Sequence, residues 1–354
     1  MGIKLLIVDD SAFMRRAISD IVEEIEGIEV VGIARNGLDA LEKIPKLNPD
    51  VITLDIEMPK LNGIEMPKLN GIETLKIIKA NYDIPIIMLS SISGTDVTIE
   101  ALQIGAYDFI EKAVDINSNL SSFKQELNSK ILSLFKIKPI KKKTKAVNNK
   151  NKDCNGIKAV VIGASTGGPK ALVYLISNLP KKIKVPIFIV QHMPSGFTTS
   201  LALRMDKESN ISVVEAEEGM SIQNNMVYLA PGDFHMTLNN GKICLDTKDK
   251  IHGVRPAVDY LFETAADIYK DSLLGIILTG MGKDGTAGMS TIKDYGGYNI
   301  AESEESKPTY NAETLKVIEQ YEIGNYTLEE VCNILNMKKG EVLLLRNIYK
   351  KFQK

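Results

Sequence analysis

Short apolar runs alternate with amphipathic stretches along the first third of the chain. IKLLIV (3–8), VVGIA (30–34), DVITLD (50–55), IPIIML (84–89) and AYDFI (106–110) have the length and Val/Ile/Leu content of strands. Between them, apolar positions recur at helical spacing near 12–26, 37–47, 72–81, 95–104 and 117–135. Strands that are continuously apolar and separated by helices predict a parallel sheet covered on both faces. Such a sheet collects its chemistry at the carboxyl ends of its strands.

The alternation stops at KIKPIKKKTKAVNNKNK (136–152), which holds eight lysines, one proline and no acid. A run of this kind cannot be buried and reads as a solvated linker, with a basic patch for DNA or membrane as the alternative. Beyond it the pattern resumes. IKAVVIGASTGGPKAL reads as a strand, a glycine turn and the opening of a helix, and VPIFIV and SLLGIILT as further strands. FHMTLNNGKICLD reads as a hairpin and 256–270 as a helix. The last stretch, YTLEEVCNILNMKKGEVLLLRNIYKKF, has two short helical patterns split by NMKKG. It is expected to pack on the second domain, a DNA-binding helix-turn-helix being the lesser reading. The lysine run divides the chain near 136–156, and with the family resemblances that the motifs of each half carry the organisation expected is α/β, two doubly wound parallel-sheet domains (1–118 and 157–350) joined by a helix end and Lys-rich linker (119–156).

Composition narrows the classes. The 354 residues are 44% hydrophobic and 25% charged with net charge −2, which argues against a nucleic-acid partner and against an acidic disordered chain. Cys154, Cys244 and Cys332 form no CxxC, so neither a disulfide framework nor a zinc site is indicated. MGIKLLIVDD turns acidic too early for a signal peptide, and Leu6 breaks the pattern for myristoylation of Gly2. No apolar run nears the ~20 residues of a membrane span. A cytoplasmic protein with no direct membrane insertion is expected.

Three acids sit at predicted strand ends in the first domain: Asp9 and Asp10 after the first strand, Asp55 after the third. Three carboxylates converging without a cationic partner repel one another and suit a hard divalent cation, most simply Mg2+. Ser90 ends the fourth strand and Lys112 follows the fifth. A hydroxyl and an ammonium at that rim suit a phosphoryl group carried on a carboxylate. Each Asp alone reads more often as a helix cap; the set is the signal.

Directly after Asp55 the chain repeats itself: residues 56–63 and 64–71 both read IEMPKLNG. A second acceptor site would need Asp before the second copy, and that position is Gly63. Pro59 and Pro67 forbid a helix through the insert, so the third helix is expected to begin near Gly71. Lengthening a surface loop costs about 0.6 kcal/mol per doubling. The repeat therefore reads as a tolerated duplication, with a dedicated regulatory loop as the alternative.

In the second domain Gly163-Ala-Ser165-Thr-Gly167 has the GxSxG spacing of a nucleophile elbow, which exposes a serine at a helix N-terminus. A phosphate-binding turn uses the same physics and stays open. The chain has three histidines. His192 follows an apolar strand, at the same kind of strand end as Ser165, whereas His235 and His252 read as ordinary surface or packing residues. An orienting carboxylate is needed next. Asp284, in GMGKDGTAG after another strand, is favoured over Asp233, Asp259 and Asp267; its bland reading is a helix N-cap.

Over roughly residues 1–118 the pieces LLIVDDSAFMRR, DVITLDIEMP, PIIMLSS and GAYDFIEK resemble the receiver domain of bacterial response regulators. The resemblance implies a flavodoxin-like fold, Asp55 as phosphoacceptor and Asp10 as a direct Mg2+ ligand supported by Asp9. It implies that Glu57 lends its backbone carbonyl to the metal, and that Ser90, Phe109 and Lys112 are the switch hydroxyl, switch aromatic and phosphate-sensing cation. Ala113 stands where the family usually has Pro, so a cis X–Pro bond that would shape this loop is lost.

Over about 157–305 the motifs IGASTGGP, QHMPSGFTTSLALRMD, VYLAPGDFHM, RPAVDYLF and LTGMGKDG resemble the chemotaxis-receptor protein-glutamate methylesterases. This implies a Rossmann-like domain with Ser165 as nucleophile, His192 as general base and Asp284 as its orienter. Thr166 and Met281 would flank the oxyanion pocket, and Arg255 and Phe197 would be structural or substrate-side positions. Asn311-Ala312-Glu313 departs from the family's Gly-Met-Pro turn. The implied function is hydrolysis of glutamate methyl esters on chemoreceptors, releasing methanol, and deamidation of receptor glutamines. A histidine kinase would be the phosphodonor and the receiver would cover the esterase face until phosphorylated. The rival is a response regulator with a DNA- or protein-binding output and an inactive hydrolase-like domain; the complete Ser/His/Asp set and near-neutral charge argue against it.

Overall fold

The computed structural model describes residues 2–58, 69–91, 94–112, 116–135, 156–278 and 282–301. The linker, Ala113, Met281, Asn311-Ala312-Glu313 and the C-terminal stretch lie outside them.

Strands β1 (Ile3–Val8), β2 (Ile28–Ala34), β3 (Val51–Asp55), β4 (Ile86–Ser90) and β5 (Asp108–Glu111) form one sheet in the order β2-β1-β3-β4-β5. Every pairing is parallel. Helices α1 (Ala12–Glu23), α2 (Gly37–Leu47), α3 (Gly71–Asn81), α4 (Thr95–Ile104) and α5 (Ile116–Phe135) connect and follow the strands. Leu5 to Val8 are all fully buried, because β1 is central and helices cover both faces. Leu6 and Val8 join the cluster that includes Ile44, Leu75 and Leu102 of α2, α3 and α4, while Leu5 and Ile7 meet Ile18 of α1 and Leu127 of α5. This is the flavodoxin-like order expected.

The repeat is resolved by which copy starts the helix. Asn70, from the second copy, caps α3: its side chain accepts from the Glu73 N–H at 2.8 Å and the Glu73 carboxylate accepts from the Asn70 N–H at 3.1 Å. Gly71 packs against the end of β3 so closely that a Cβ there would stand 2.2 Å from the Asp55 carbonyl oxygen. The first copy supplies Ile56 and Met58, both buried. Residues 59–68 of the insert lie outside the described residues.

The second sheet contains β6 (Ala159–Ala164), β7 (Ile187–Gln191), β8 (Ser212–Glu215), β9 (Met226–Leu229), β12 (Leu273–Ile277) and β13 (Tyr298–Ala301), ordered β13-β12-β6-β7-β9-β8. It too is parallel throughout. β10 (His235–Asn239) and β11 (Lys242–Asp246) make the predicted antiparallel hairpin. The helices are α6 (Gly168–Ser177), α7 (Phe197–Glu208), α8 (Val258–Tyr269) and α9 (Thr286–Asp294). Numbered in chain order the six strands run 3-4-2-1-5-6, a Rossmann-like order in which β9 is inserted between β7 and β8. Val160 and Ile162 of β6 face the side that carries α6 and α7; Ala159 and Val161 face α8. Successive strands are added on one side of β6 up to β9 and on the other side from β12, and at such a switch point the carboxyl ends leave a crevice.

The two sheets meet through α4, which packs on α6 and α7. The cluster on the α2–α4 side of the first sheet runs on into the α6–α7 side of the second without a break. Ser200 of α7 donates to Thr95 Oγ1 of α4 at 2.9 Å. No helix among the described residues is long and apolar enough to cross a membrane.

Candidate active site and phosphoacceptor pocket

At the carboxyl rim of the first sheet, Asp9, Asp10 and Asp55 bring ligand atoms within 4.8 Å of one another. Asp9 and Asp55 are buried, Asp10 is exposed. The expectation of a cluster without a cation is corrected. Lys112 Nζ lies 2.7 Å from Asp55 Oδ2 and 3.0 Å from Asp9 Oδ2, because β5 ends beside β4 and delivers the ammonium to the acidic rim. Both contacts are short ion pairs between a largely buried ammonium and two buried carboxylates. The other oxygens are held by main chain, Asp9 Oδ1 by the Ser11 N–H at 2.9 Å and Asp55 Oδ1 by the Glu57 N–H at 3.0 Å.

Burial pushes the Asp55 carboxyl up to about 6; Lys112 pulls it down and the Asp9 charge adds to the rise. Burial likewise raises Asp9 against the pull of Lys112. Burial would lower the Lys112 ammonium, but the two carboxylates outweigh it and raise it. Three converging carboxylates, two of them buried, fit a hard cation of small radius. Ser90 is fully buried, with its hydroxyl 2.5 Å from Thr98 Oγ1 on α4. Glu57 follows β3 and its carboxylate accepts from the Ser91 hydroxyl. Phe109 points the other way, into the domain boundary.

At the carboxyl rim of the second sheet, Ser165 follows β6 and Thr166 follows it, both half-buried before α6. Gly167 takes φ 75°, a left-handed value that glycine adopts without strain and that turns the chain into the helix. His192 follows β7, and its N–H donates to the Ala164 carbonyl at 3.1 Å, so strand pairing sets the base candidate beside the serine. His192 Nε2 lies 2.7 Å from Asp284 Oδ2. An ionised carboxylate only accepts, so Nε2 carries the proton and Nδ1 keeps the lone pair. Among the described residues no hydrogen bond joins the Ser165 hydroxyl to His192.

Asp284 does not cap its own helix, since Gly285 is the residue before α9. Its carboxylate instead accepts from the N–H groups of Val258 at 2.7 Å and Asp259 at 3.0 Å, at the N-terminus of α8. Burial opposes the charge, but the His192 bond and these two amides outweigh it and hold Asp284 below the usual carboxylate value. Met281 lies outside the described residues. The Asp259 carboxylate accepts from the Gly288 N–H at 2.8 Å. His235 is a buried packing residue, its ring bonded to the Ala257 N–H and the Asp249 carbonyl. His252 is half-exposed, 3.9 Å from Asp259. Arg255 donates to the carbonyls of Thr247 and Lys248, a structural role. Phe197 sits at the domain boundary, on Phe109.

Sequence reasoning missed the α8 amides that hold Asp284, and it missed Gln191, whose amide donates to the Ser165 carbonyl. The position of Gln191, directly before His192, was its one available signal.

Comparison with known proteins gives this geometry a family. A model of the CheB methylesterase family matches residues 160–319, and one of the response regulator receiver domain matches residues 5–123. A protein-glutamate methylesterase/protein-glutamine glutaminase of Thermotoga maritima is 47% identical over 86% of this chain and 89% of its own length. One from Clostridium acetobutylicum is 46% identical over 85% and 88%. A crystal structure of the Thermotoga maritima CheB methylesterase catalytic domain is 50% identical and covers 47% of this chain and 89% of that one, at a TM-score of 0.41. With these relatives along most of its length, the chain belongs to the protein-glutamate methylesterase/protein-glutamine glutaminase family, a receiver domain preceding the CheB-type catalytic domain.

Proposed function

We propose that the chain is a phosphorylation-controlled esterase of chemotaxis that hydrolyses glutamate methyl esters on chemoreceptors, in the cytoplasm. The observation that carries the reading is the 2.7 Å contact of His192 Nε2 with an Asp284 held by two α8 amides, at strand ends beside Ser165.

The chemistry follows from that order. His192 Nδ1 takes the Ser165 proton as Oγ attacks the ester carbonyl carbon. The new C–O bond gives a tetrahedral oxyanion, for which the Thr166 N–H is a donor and Met281 a flanking residue. Collapse breaks the bond to methoxide, which leaves as methanol with the proton from Nδ1. Water, deprotonated by the same nitrogen, then attacks the acyl carbon; the bond to Ser165 Oγ breaks as Nδ1 returns the proton to it, and the glutamate carboxylate is freed. Asp284 keeps the proton on Nε2 and offsets the positive ring. Glutamine deamidation is the same sequence with ammonia leaving.

Asp55 is the phosphoacceptor in this reading, with a histidine kinase as donor. Asp9, Asp10, Asp55 and the Glu57 carbonyl would hold Mg2+, which when bound neutralises the charge gathered around the phosphoryl group. Lys112 would take a phosphoryl oxygen and Ser90 another, the latter at the expense of its contact with Thr98. Phe109 is the switch aromatic, and the receiver restrains the esterase until Asp55 is phosphorylated. The domain division at 1–118, 119–156 and 157–350 belongs to the same reading.

The direct test is methanol release from methylated receptor membranes, wild type against Ser165→Ala. Release above background by wild type alone is expected; equal release by both would overturn the assignment.

A further inference from the structure

Gln191 ends β7 and is 2% exposed. Its amide nitrogen donates to the Ser165 carbonyl at 2.9 Å and to the His192 carbonyl at 3.2 Å. One side chain therefore ties down the main chain of both the nucleophile and the base. Two carbonyl acceptors on the same side require the NH2 group there, which sets the orientation of the amide. Its Oε1, turned away, is buried and accepts no hydrogen bond among the described residues. That oxygen occupies the space beside Gly168, where a Cβ would stand 2.0 Å from it. The amide fits because residue 168 has no side chain.

The geometric effect of the Gln191 amide is specific. The Ser165 carbonyl accepts from Gln191 and also from the Gly168 N–H at 2.8 Å. The Ser165–Thr166 peptide is planar and trans, with its carbonyl and N–H directed oppositely. Fixing the carbonyl toward Gln191 fixes the Thr166 N–H in the opposite direction, away from the buried amide. In a GxSxG elbow that N–H is an oxyanion donor.

We infer that Gln191 is a positioning residue for acyl transfer: it aims the Thr166 N–H at the developing oxyanion and holds the His192 main chain in register with Ser165. The inference rests on the esterase reading, and wild type against Ser165→Ala tests that reading separately. Gln191→Met keeps the length and bulk of the side chain. It removes two hydrogen bonds and also the orphaned acceptor, so the folded state should lose little. Steady-state methanol release by the full-length chain from methylated receptor membranes is then compared with its thermal midpoint. We expect kcat to fall about 10- to 100-fold, since a misdirected oxyanion donor forfeits part of its 10²–10³ effect. KM should stay within about twofold and the midpoint should move by about 4 °C or less.

Gln191→Glu supplies a second measure. A carboxylate facing two carbonyls repels them, whereas a carboxylic acid donates one hydrogen bond, so its deficit relative to wild type should narrow as pH falls. Wild-type kcat in Gln191→Met, or a loss confined to KM, overturns the inference. So does a kcat loss that tracks a collapse of the midpoint, with a Gln191→Glu deficit independent of pH.

Discussion

Phe109 of β5 stacks on Phe197 at the start of α7, with ring centroids 4.5 Å apart and planes 24° from parallel. Both rings are buried, at 3% and 0% exposure. Phe197 follows His192 by five residues, so the contact links Phe109 on β5 to the loop that carries the candidate base. Ser200 and Thr95 add a hydroxyl contact alongside it. A rearrangement at the phosphoacceptor rim therefore has a short physical route to the second site, through β5 and α4.

If this contact restrains the esterase, Phe109→Ala should raise the rate of the unphosphorylated chain. Stacked aromatic pairs contribute about 0.5–1.5 kcal/mol beyond burial, which corresponds to roughly a 2- to 10-fold increase. The rate of the phosphorylated chain should not change. Methanol release with and without a small phosphodonor checks this, and an unphosphorylated rate no higher than wild type would show that the contact does not inhibit.

If this rim holds Mg2+, the raised Asp55 carboxyl, at about 6, makes that binding depend on pH. A proton must leave before the carboxylate can hold the metal, so apparent affinity should weaken up to about tenfold per pH unit below 6 and level off above it. In the metal-free chain the folded state holds this proton more tightly than the unfolded one. The group therefore favours folding fully below 3.8 and loses that contribution as pH rises through about 6. Mg2+ titrations on either side of pH 6 test the point; the dependence should shrink in Asp55→Asn, and a pH-independent affinity in wild type would contradict it.

Deleting residues 64–71 leaves Asn62-Gly63 directly before Ile72-Glu73, which restores the same Asn-Gly-Ile-Glu start that caps α3 in the intact chain. Asp9, Asp10, Asp55 and Glu57 all precede the deletion. Phosphorylation of Asp55 and unregulated esterase activity should therefore be unchanged. Restraint by the receiver should be equal or tighter, because a shorter loop has less freedom to lose on docking. Loss of phosphorylation on deletion would make the repeat a working part.

The parallel sheets were legible because β1, β3 and β4 are apolar at nearly every position, a pattern only two-sided burial explains. The edge strand β2 was read two residues short, since exposed Glu29 interrupts its apolar run next to buried Ile28. The helix α1 was read three residues long; it ends at Glu23, ahead of the turn at Gly27. What the local pattern could not reveal are partnerships across the chain. Asp284 reaches the amides of Val258 and Asp259, Gln191 reaches back to Ser165, and Phe109 meets Phe197. Each depends on how strands are ordered and domains docked, and the insertion of β9 between β7 and β8 shows how little of that order short-range periodicity carries.

The central claim is that Ser165, His192 and Asp284 act as one unit, and the decisive measurement is methanol release from methylated receptor membranes by the three single variants and their combination. Ser165→Ala and His192→Ala should each lose orders of magnitude in kcat, Asp284→Asn somewhat less, and the triple variant should lose scarcely more than Ser165→Ala alone. Full activity in His192→Ala, or losses that simply add across the three, would contradict the account.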